Sequence, residues 1–311
     1  MIDEKVKFDG YNFSNVELFK SPLQDNLMDV YFFSSAEKEY LLFKFNHSYV
    51  DGKGALKIIQ ELINIINNGM REKEIKFESD LEYVKKLKTI NENRNLKYNN
   101  RLAVKGGDSK DYKYLKRIRV NKNTNAVIAK SIYVLNDYYS NSNITYLIPT
   151  NIRRKNDKDI YISNLTLPLY LNINKGDDWS TIYRKIYDEV RNGKNLNLKN
   201  INYGIIVKMS NSLYKFLIKC SAWFQKKTNR YLTCGNITNL GLVSEEDYKC
   251  SAIKYESVFA IPFYQPLFPF TLSIIENNRG IDFILCTRSN VMKEDVACEI
   301  LRKIKEYIEK D

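Results

Sequence analysis

The sequence predicts an α+β fold with a mixed, largely antiparallel sheet flanked by helices. Three observations lead there. Short runs rich in aromatic and aliphatic residues recur along the 311-residue chain. Other stretches carry the three- and four-residue apolar spacing of helices. The two kinds alternate in an order that is neither strictly βαβα nor all-β. A hydrophobic content of 44%, with 13% aromatic residues, is that of a folded chain with a substantial core.

Taken in order, MDVYFF (28–33) and YLLFKFN (40–46) read as neighbouring strands, with the polar SSAEKE as the turn between them. ALKIIQELINIINN (55–68) follows as a largely buried helix, its stripe formed by Leu56, Ile59, Leu62, Ile63 and Ile66, and Gly69 stops it. Residues 71–111 are highly charged, poor in aliphatics and contain Gly106-Gly107, so they read as a linker or surface excursion between two halves. YKYLKRIRV (112–120) is a strand, 124–138 a helix and ITYLIPT (144–150) a strand. NLTLPLYLNI (164–173) alternates apolar and polar residues as a half-buried strand does, and 178–192 is a helix with Asp177 or Asp178 at its N-cap. YGIIVKMSNSLYKFLIKCSAWF (203–224) is broken by Lys208, Lys215 and Lys219 and reads as an amphipathic helix packed on a core. The last third offers strands at 231–241, 253–261, 268–275 and 280–288, and a closing helix at 292–308. Pro262, Pro266 and Pro269 make the apolar window 257–275 a loop leading into a buried strand rather than a membrane helix.

The net charge of +12 raises nucleic acid or an anionic surface as a partner, but the lysines are scattered and no recognition motif accompanies them, so no nucleic-acid function is expected. Cys220, Cys234, Cys250, Cys286 and Cys298 form no C-x-x-C, and with one histidine no ordinary zinc cluster assembles; no metal is expected. An odd, scattered set of cysteines behind the polar start MIDEKVKFDG points to reduced thiols and a cytoplasmic protein without a membrane span.

His47 is the single histidine, set between an apolar strand and an apolar helix in NHSYVDG (46–52). A strand end followed by a tight turn projects a side chain into a cleft from a rigid backbone. Imidazole is suited to general-base work there, because its ordinary pKa lies close to physiological pH. Asp51 could orient the imidazole, hold a distant basic residue, or cap the helix, and Gly52 and Gly54 permit a tight path into it.

The segment His47-Ser-Tyr-Val-Asp51-Gly52 resembles the H-x-x-x-D-G motif of the CoA-dependent acyltransferase superfamily, which includes chloramphenicol acetyltransferases, plant BAHD enzymes, alcohol O-acetyltransferases and condensation domains of nonribosomal peptide synthetases. IPTNIRR (148–154) with SNLTLPLYL (163–171), and ITNLG (237–241), resemble later segments of that superfamily, so the likeness runs from about residue 28 to the C-terminus. It implies a chloramphenicol acetyltransferase-like sandwich of two half-domains. Residues 1–107 would be a truncated first half-domain with its linker, since only 46 residues precede the motif, and 108–311 the second.

The implied chemistry is acyl transfer from a CoA or carrier-protein thioester to a hydroxyl or amine, with His47 as general base and no acyl-enzyme. Thr238 and Asn239 are the candidate oxyanion donors, Arg153 the candidate partner of a structural Asp51, and Gly52 would keep the channel open to a pantetheine arm. No cofactor is bound; acyl-CoA or acyl-pantetheine is the co-substrate. Asn46 stands where condensation domains usually carry a first histidine, which favours a CoA-type enzyme, and the absence of D-F-G-W-G argues against a plant-type one. The competing expectation is a non-catalytic or partner-dependent member of the same fold, a binding or scaffold subunit completed by a second polypeptide or an oligomer.

Overall fold

The computed structural model describes residues 23, 26–34, 39–69, 74–87, 89, 100–103, 112–154, 160–197, 210–244, 246–251 and 257–310. Strands β1 (Met28–Ser34) and β2 (Glu39–Phe45) form an antiparallel hairpin, and α1 (Gly52–Asn68) follows. Asp51 caps α1 through its side chain and Gly69 closes it at φ 73°, the left-handed turn that glycine adopts without strain. A short β3 (Ile75–Lys76) and α2 (Asp80–Lys85) lead towards β4 (Lys113–Val120), α3 (Val127–Leu135), β5 (Asn143–Asn151), β6 (Ile160–Tyr161), β7 (Thr166–Asn174) and α4 (Trp179–Arg191). The chain closes with α5 (Asn211–Thr228), β8 (Asn236–Val243), β9 (Phe270–Asn277), β10 (Gly280–Arg288) and α6 (Glu294–Lys310).

Six strands form one sheet in the order β4-β10-β9-β8-β5-β7. The β4/β10, β10/β9 and β5/β7 pairs are antiparallel and the β8/β9 and β5/β8 pairs parallel, the mixed, largely antiparallel sheet expected. One face buries the main core against α3, α4 and α6, with Tyr146, Leu171, Ile237, Phe283, Ile132 and Ile304 at its centre. The opposite face carries two smaller apolar clusters. In one, Leu56, Ile59 and Ile63 of α1 meet Val243, Ile275 and Tyr248; in the other, Leu115, Ile284 and Cys286 lie under Tyr40, Phe259 and Tyr264. α1, with the motif at its start, therefore sits on the face of the sheet away from the main core.

The stretch 71–111 is not featureless. β3 pairs in parallel with β6, and Tyr83 and Val84 of α2 are buried against Ile152, Leu165 and Leu167. Asn100 is fully buried, donating to the Tyr231 and Leu232 carbonyls and accepting from the Thr145 N–H. A few anchors hold the segment to the fold despite its average polarity; Gly106-Gly107 lies outside the described residues. β8 starts five residues later than expected, and 257–261 forms no strand, while 252–256 lies outside the described residues.

The expected packing of α5 is corrected. Its described residues turn Gln225 inward and leave Leu213, Phe216 and Trp223 in solvent. Residues 203–209, read as the start of that helix, lie outside the described residues. No helix among the described residues is long and apolar enough to cross a membrane, and no group of His, Cys, Asp and Glu suited to a metal occurs among them.

Candidate active site

The motif occupies the link from β2 to α1. Asn46 donates its N–H to the Leu27 carbonyl, and its Oδ1 accepts the Ser48 N–H at 3.1 Å, an Asx turn that swings the chain out of β2. His47 stands on that turn with its ring exposed. Val50 then bridges to Ser163, and the chain enters α1.

Asp51 is the anchor of this link and is only 2% exposed. Arg153 grips it bidentately, Nη1 to Oδ2 and Nη2 to Oδ1, both at 2.9 Å. The same carboxylate accepts the Gly54 N–H at 2.7 Å and the Leu165 N–H at 2.8 Å. Arg153 also donates to the Tyr161 and Ser163 carbonyls and to Asn151 Oδ1. A paired, fully hydrogen-bonded carboxylate is what burial demands. Asp51 thus caps the helix and holds a distant arginine at once, and the β2–α1 link is tied to the β5–β7 segment 102 residues away.

The glycines serve close approach. A Cβ at Gly54 would fall 1.9 Å from the Ile162 carbonyl oxygen, and one at Gly52 would fall 2.5 Å from Leu240 Cδ2. Leu240 belongs to β8, where the register to β9 shifts between Asn239 and Leu242 and Gly241 adopts φ 72°. The start of α1 therefore lies against the β8 bulge. Lys53 sits half-buried there, its ammonium held below the usual lysine pKa by burial first, then by Lys57 and Arg153, with Asp51 and Glu276 opposing.

Thr238 and Asn239 differ. Thr238 pairs in register with Ser273, whereas Asn239 pairs with Ile274, a main-core residue, so strand alternation turns the two to opposite faces. Asn239 is committed: Nδ2 donates to Glu276 at 2.9 Å and Oδ1 accepts the Gly241 N–H at 2.6 Å. Its amide closes the bulge instead of projecting freely.

Two neighbours of His47 were not assigned roles from sequence. Asn164 Nδ2 donates to the His47 carbonyl at 3.1 Å; the same nitrogen lies 3.5 Å from Nδ1, too long to fix the ring's tautomer. Thr166 Oγ1 donates in turn to Asn164 Oδ1 and steadies the amide. Phe263 meets the imidazole edge-on, ring centres 5.0 Å apart. It belongs to the proline-rich segment ahead of β9, pinned where Arg117 stacks on Phe259 at 3.8 Å while donating to the fully buried Asp282. Asn164 lies within the SNLTLPLYL segment, which offered a signal for the region; Phe263 offered none.

Of the cysteines, Cys234 and Cys286 are buried, and burial pushes the Cys286 thiol up to about 12. A thiol so held is a poor nucleophile.

No protein-family model matches the sequence, and no curated protein does. Solved structures do. The condensation domain of the monacolin K polyketide synthase MokA matches with a TM-score of 0.57 at 10% identity, over 91% of this chain and 71% of that one. The epimerization domain from the third module of tyrocidine synthetase B matches with a TM-score of 0.53 at 10% identity, over 91% and 70%. This chain has the condensation-domain fold. A cyclization-docking bidomain of the EpoB peptide synthetase from Sorangium cellulosum shares it, with a TM-score of 0.52 at 11% identity over 92% of this chain and 62% of that one. These matches show the fold alone, and function rests on the site.

Proposed function

We propose that this chain is an acyltransferase that moves an acyl group from a pantetheine thioester, on CoA or on a carrier protein, to a hydroxyl or amine, with His47 as general base. One observation carries the reading: the single imidazole is exposed on a turn whose two flanks are fixed by polar contacts, an exposed one from Asn164 to the His47 carbonyl and a part-buried one from Arg153 to Asp51. A base must be reachable and must be held. The thioester donor is what the motif resemblance implies; the solved condensation and epimerization domains share the fold.

In the proposed reaction His47 takes the proton of the acceptor hydroxyl or amine as the oxygen or nitrogen attacks the thioester carbonyl. The electron pair of the C=O moves onto oxygen, and Thr238 is the side chain assigned to steady that oxyanion, since Asn239 is engaged by Glu276 and Gly241. Collapse breaks the C–S bond, and the leaving thiolate takes its proton from the imidazolium. No covalent enzyme intermediate enters the scheme. Gly52 is packed against Leu240, where a Cβ would fall 2.5 Å from Cδ2, so close packing accounts for it and it is assigned no part in admitting the pantetheine arm.

Thiol release tests this. Acetyl- and longer acyl-CoAs, and an acylated carrier protein, are offered with a panel of alcohols and amines to the wild type and to His47→Ala. The reading predicts release that needs an acceptor and falls about 10²- to 10⁴-fold in the variant. Thr238→Val is expected to cost about 10²-fold in kcat at an unchanged unfolding midpoint. Full turnover by His47→Ala would refute the base.

The exposure of the His47 ring also favours a second reading, a site completed by another polypeptide. It predicts that the chain alone is silent with every donor and gains His47-dependent turnover when the missing wall is supplied.

A further inference from the structure

Helix α5 is built inside out. On its inward side lie Ile218, Ser221, Ala222 and the buried Gln225, the last donating to Ser221 Oγ. Its outward side holds Leu213, Phe216, Leu217, Trp223 and Phe224, with Phe216 60% and Trp223 61% exposed. At 100° per residue these five fall within roughly 120° of arc, a continuous apolar stripe along a helix of 18 residues. An apolar stripe that faces away from its own protein marks an interaction surface.

Charge indicates the occupant. Lys215, Lys219 and Lys226 project within about 40° of one another along one flank of the stripe, so all three stand at the same height above it. Lys227 lies over the Trp223 ring at 4.9 Å, within the stripe itself. From Val190 to Ser244 the sequence has nine lysines and arginines and no aspartate or glutamate, against a net charge of +12 for the whole chain. The stretch of sequence that contains α5 is thus uniformly basic.

We propose that α5 is a peripheral membrane-docking helix that lays its aromatic stripe into the interface of an anionic bilayer. The Trp, Phe and Leu side chains enter the acyl boundary, while the lysine row snorkels to the phosphate level. Equal height of the three lysines suits a plane of phosphates better than discrete acidic side chains on a folded partner. The helix carries too many lysines to span a bilayer, and lying in its surface is the arrangement that satisfies both faces. The inference is independent of the acyl-transfer reading, and His47→Ala is expected to leave it untouched.

Co-sedimentation with vesicles of phosphatidylcholine, with and without phosphatidylglycerol, tests it on the full chain. Binding is expected only with the anionic lipid, and is expected to weaken when salt rises from about 0.1 M to about 1 M, as the Debye length falls from about 10 to about 3 Å. Lys215→Gln/Lys219→Gln/Lys226→Gln and Phe216→Ala/Trp223→Ala are each expected to weaken it at least ~tenfold. All five positions are exposed, so both variants are expected to keep the fold, and circular dichroism checks it. In a Trp179→Phe background Trp223 is the remaining tryptophan, and its emission is expected to shift to the blue on adding anionic vesicles. The proposal fails if the wild type stays in the supernatant, or if either variant binds as well as the wild type. It fails equally if Trp223 is blue-shifted and shielded from iodide before any lipid is added, which would place the chain's own segments or a second copy on the stripe. Binding to an acidic protein in place of anionic vesicles would also overturn it.

Discussion

Asp51 and His47 lie four residues apart in one short motif, and the fold treats them in opposite ways. Asp51 is buried, accepts hydrogen bonds from two backbone N–H groups and is clasped by a guanidinium at two points. His47 is exposed, and its firmest polar contact is to its own carbonyl rather than to its ring. The difference teaches how the motif divides its labour. The aspartate is spent on geometry: it starts α1 and ties the β2–α1 link to the β5–β7 segment. That frees the histidine from any structural duty. A side chain that contributes little to the fold is one the fold can leave in reach of substrate.

Removing one side of the clasp should show the contrast most strongly. Asp51→Ala leaves the Arg153 charge without its partner, and Arg153→Ala does the same to Asp51; each should cost about 3 to 5 kcal/mol in urea unfolding. The double variant should cost much less than their sum, because the penalty in each single variant is the stranded charge. Additive losses would show that the two residues act separately. Gly54→Ala comes next. Its Cβ meets the Ile162 carbonyl, which is backbone and cannot swing aside, so a loss of about 3 kcal/mol is expected from the same measurement. Asn164→Ala should be milder, about 1 kcal/mol for the bond to the His47 carbonyl, together with a fall in kcat as the turn loosens. Were its activity unchanged, the amide would have no part in holding His47.

How far these features could be read beforehand depended on where their causes lie. Helix α1 was legible because periodicity, cap and stop signal all sit within or beside its own residues; it begins at Gly52, three residues earlier than the 55–68 expected, where Asp51 caps it. The six-stranded sheet was legible as a set of apolar runs, while its order, with β8 between β9 and β5, depends on pairings no local pattern records. Helix α5 shows the limit of amphipathicity: spacing says that a helix has an apolar face, not that the face meets its own protein. In 71–111 the average charge concealed Tyr83, Val84 and Asn100, whose burial depends on partners far along the chain. The Asp51–Arg153 pair was anticipated from resemblance alone, since two residues 102 apart leave no local trace. Asn239 was a reasonable donor by residue type, and its commitment to Glu276 and Gly241 arises from a bulge that the glycine alone only hints at.

The division of labour is tested most directly by His47→Ala, with urea unfolding and acceptor-dependent thiol release measured on one preparation. The unfolding free energy is expected to stay within about 0.5 kcal/mol of the wild type, while turnover falls by about 10²-fold or more. Turnover that persists, or that disappears only together with the folded state, would contradict the assignment of His47 as a base freed for chemistry by the Asp51–Arg153 clasp.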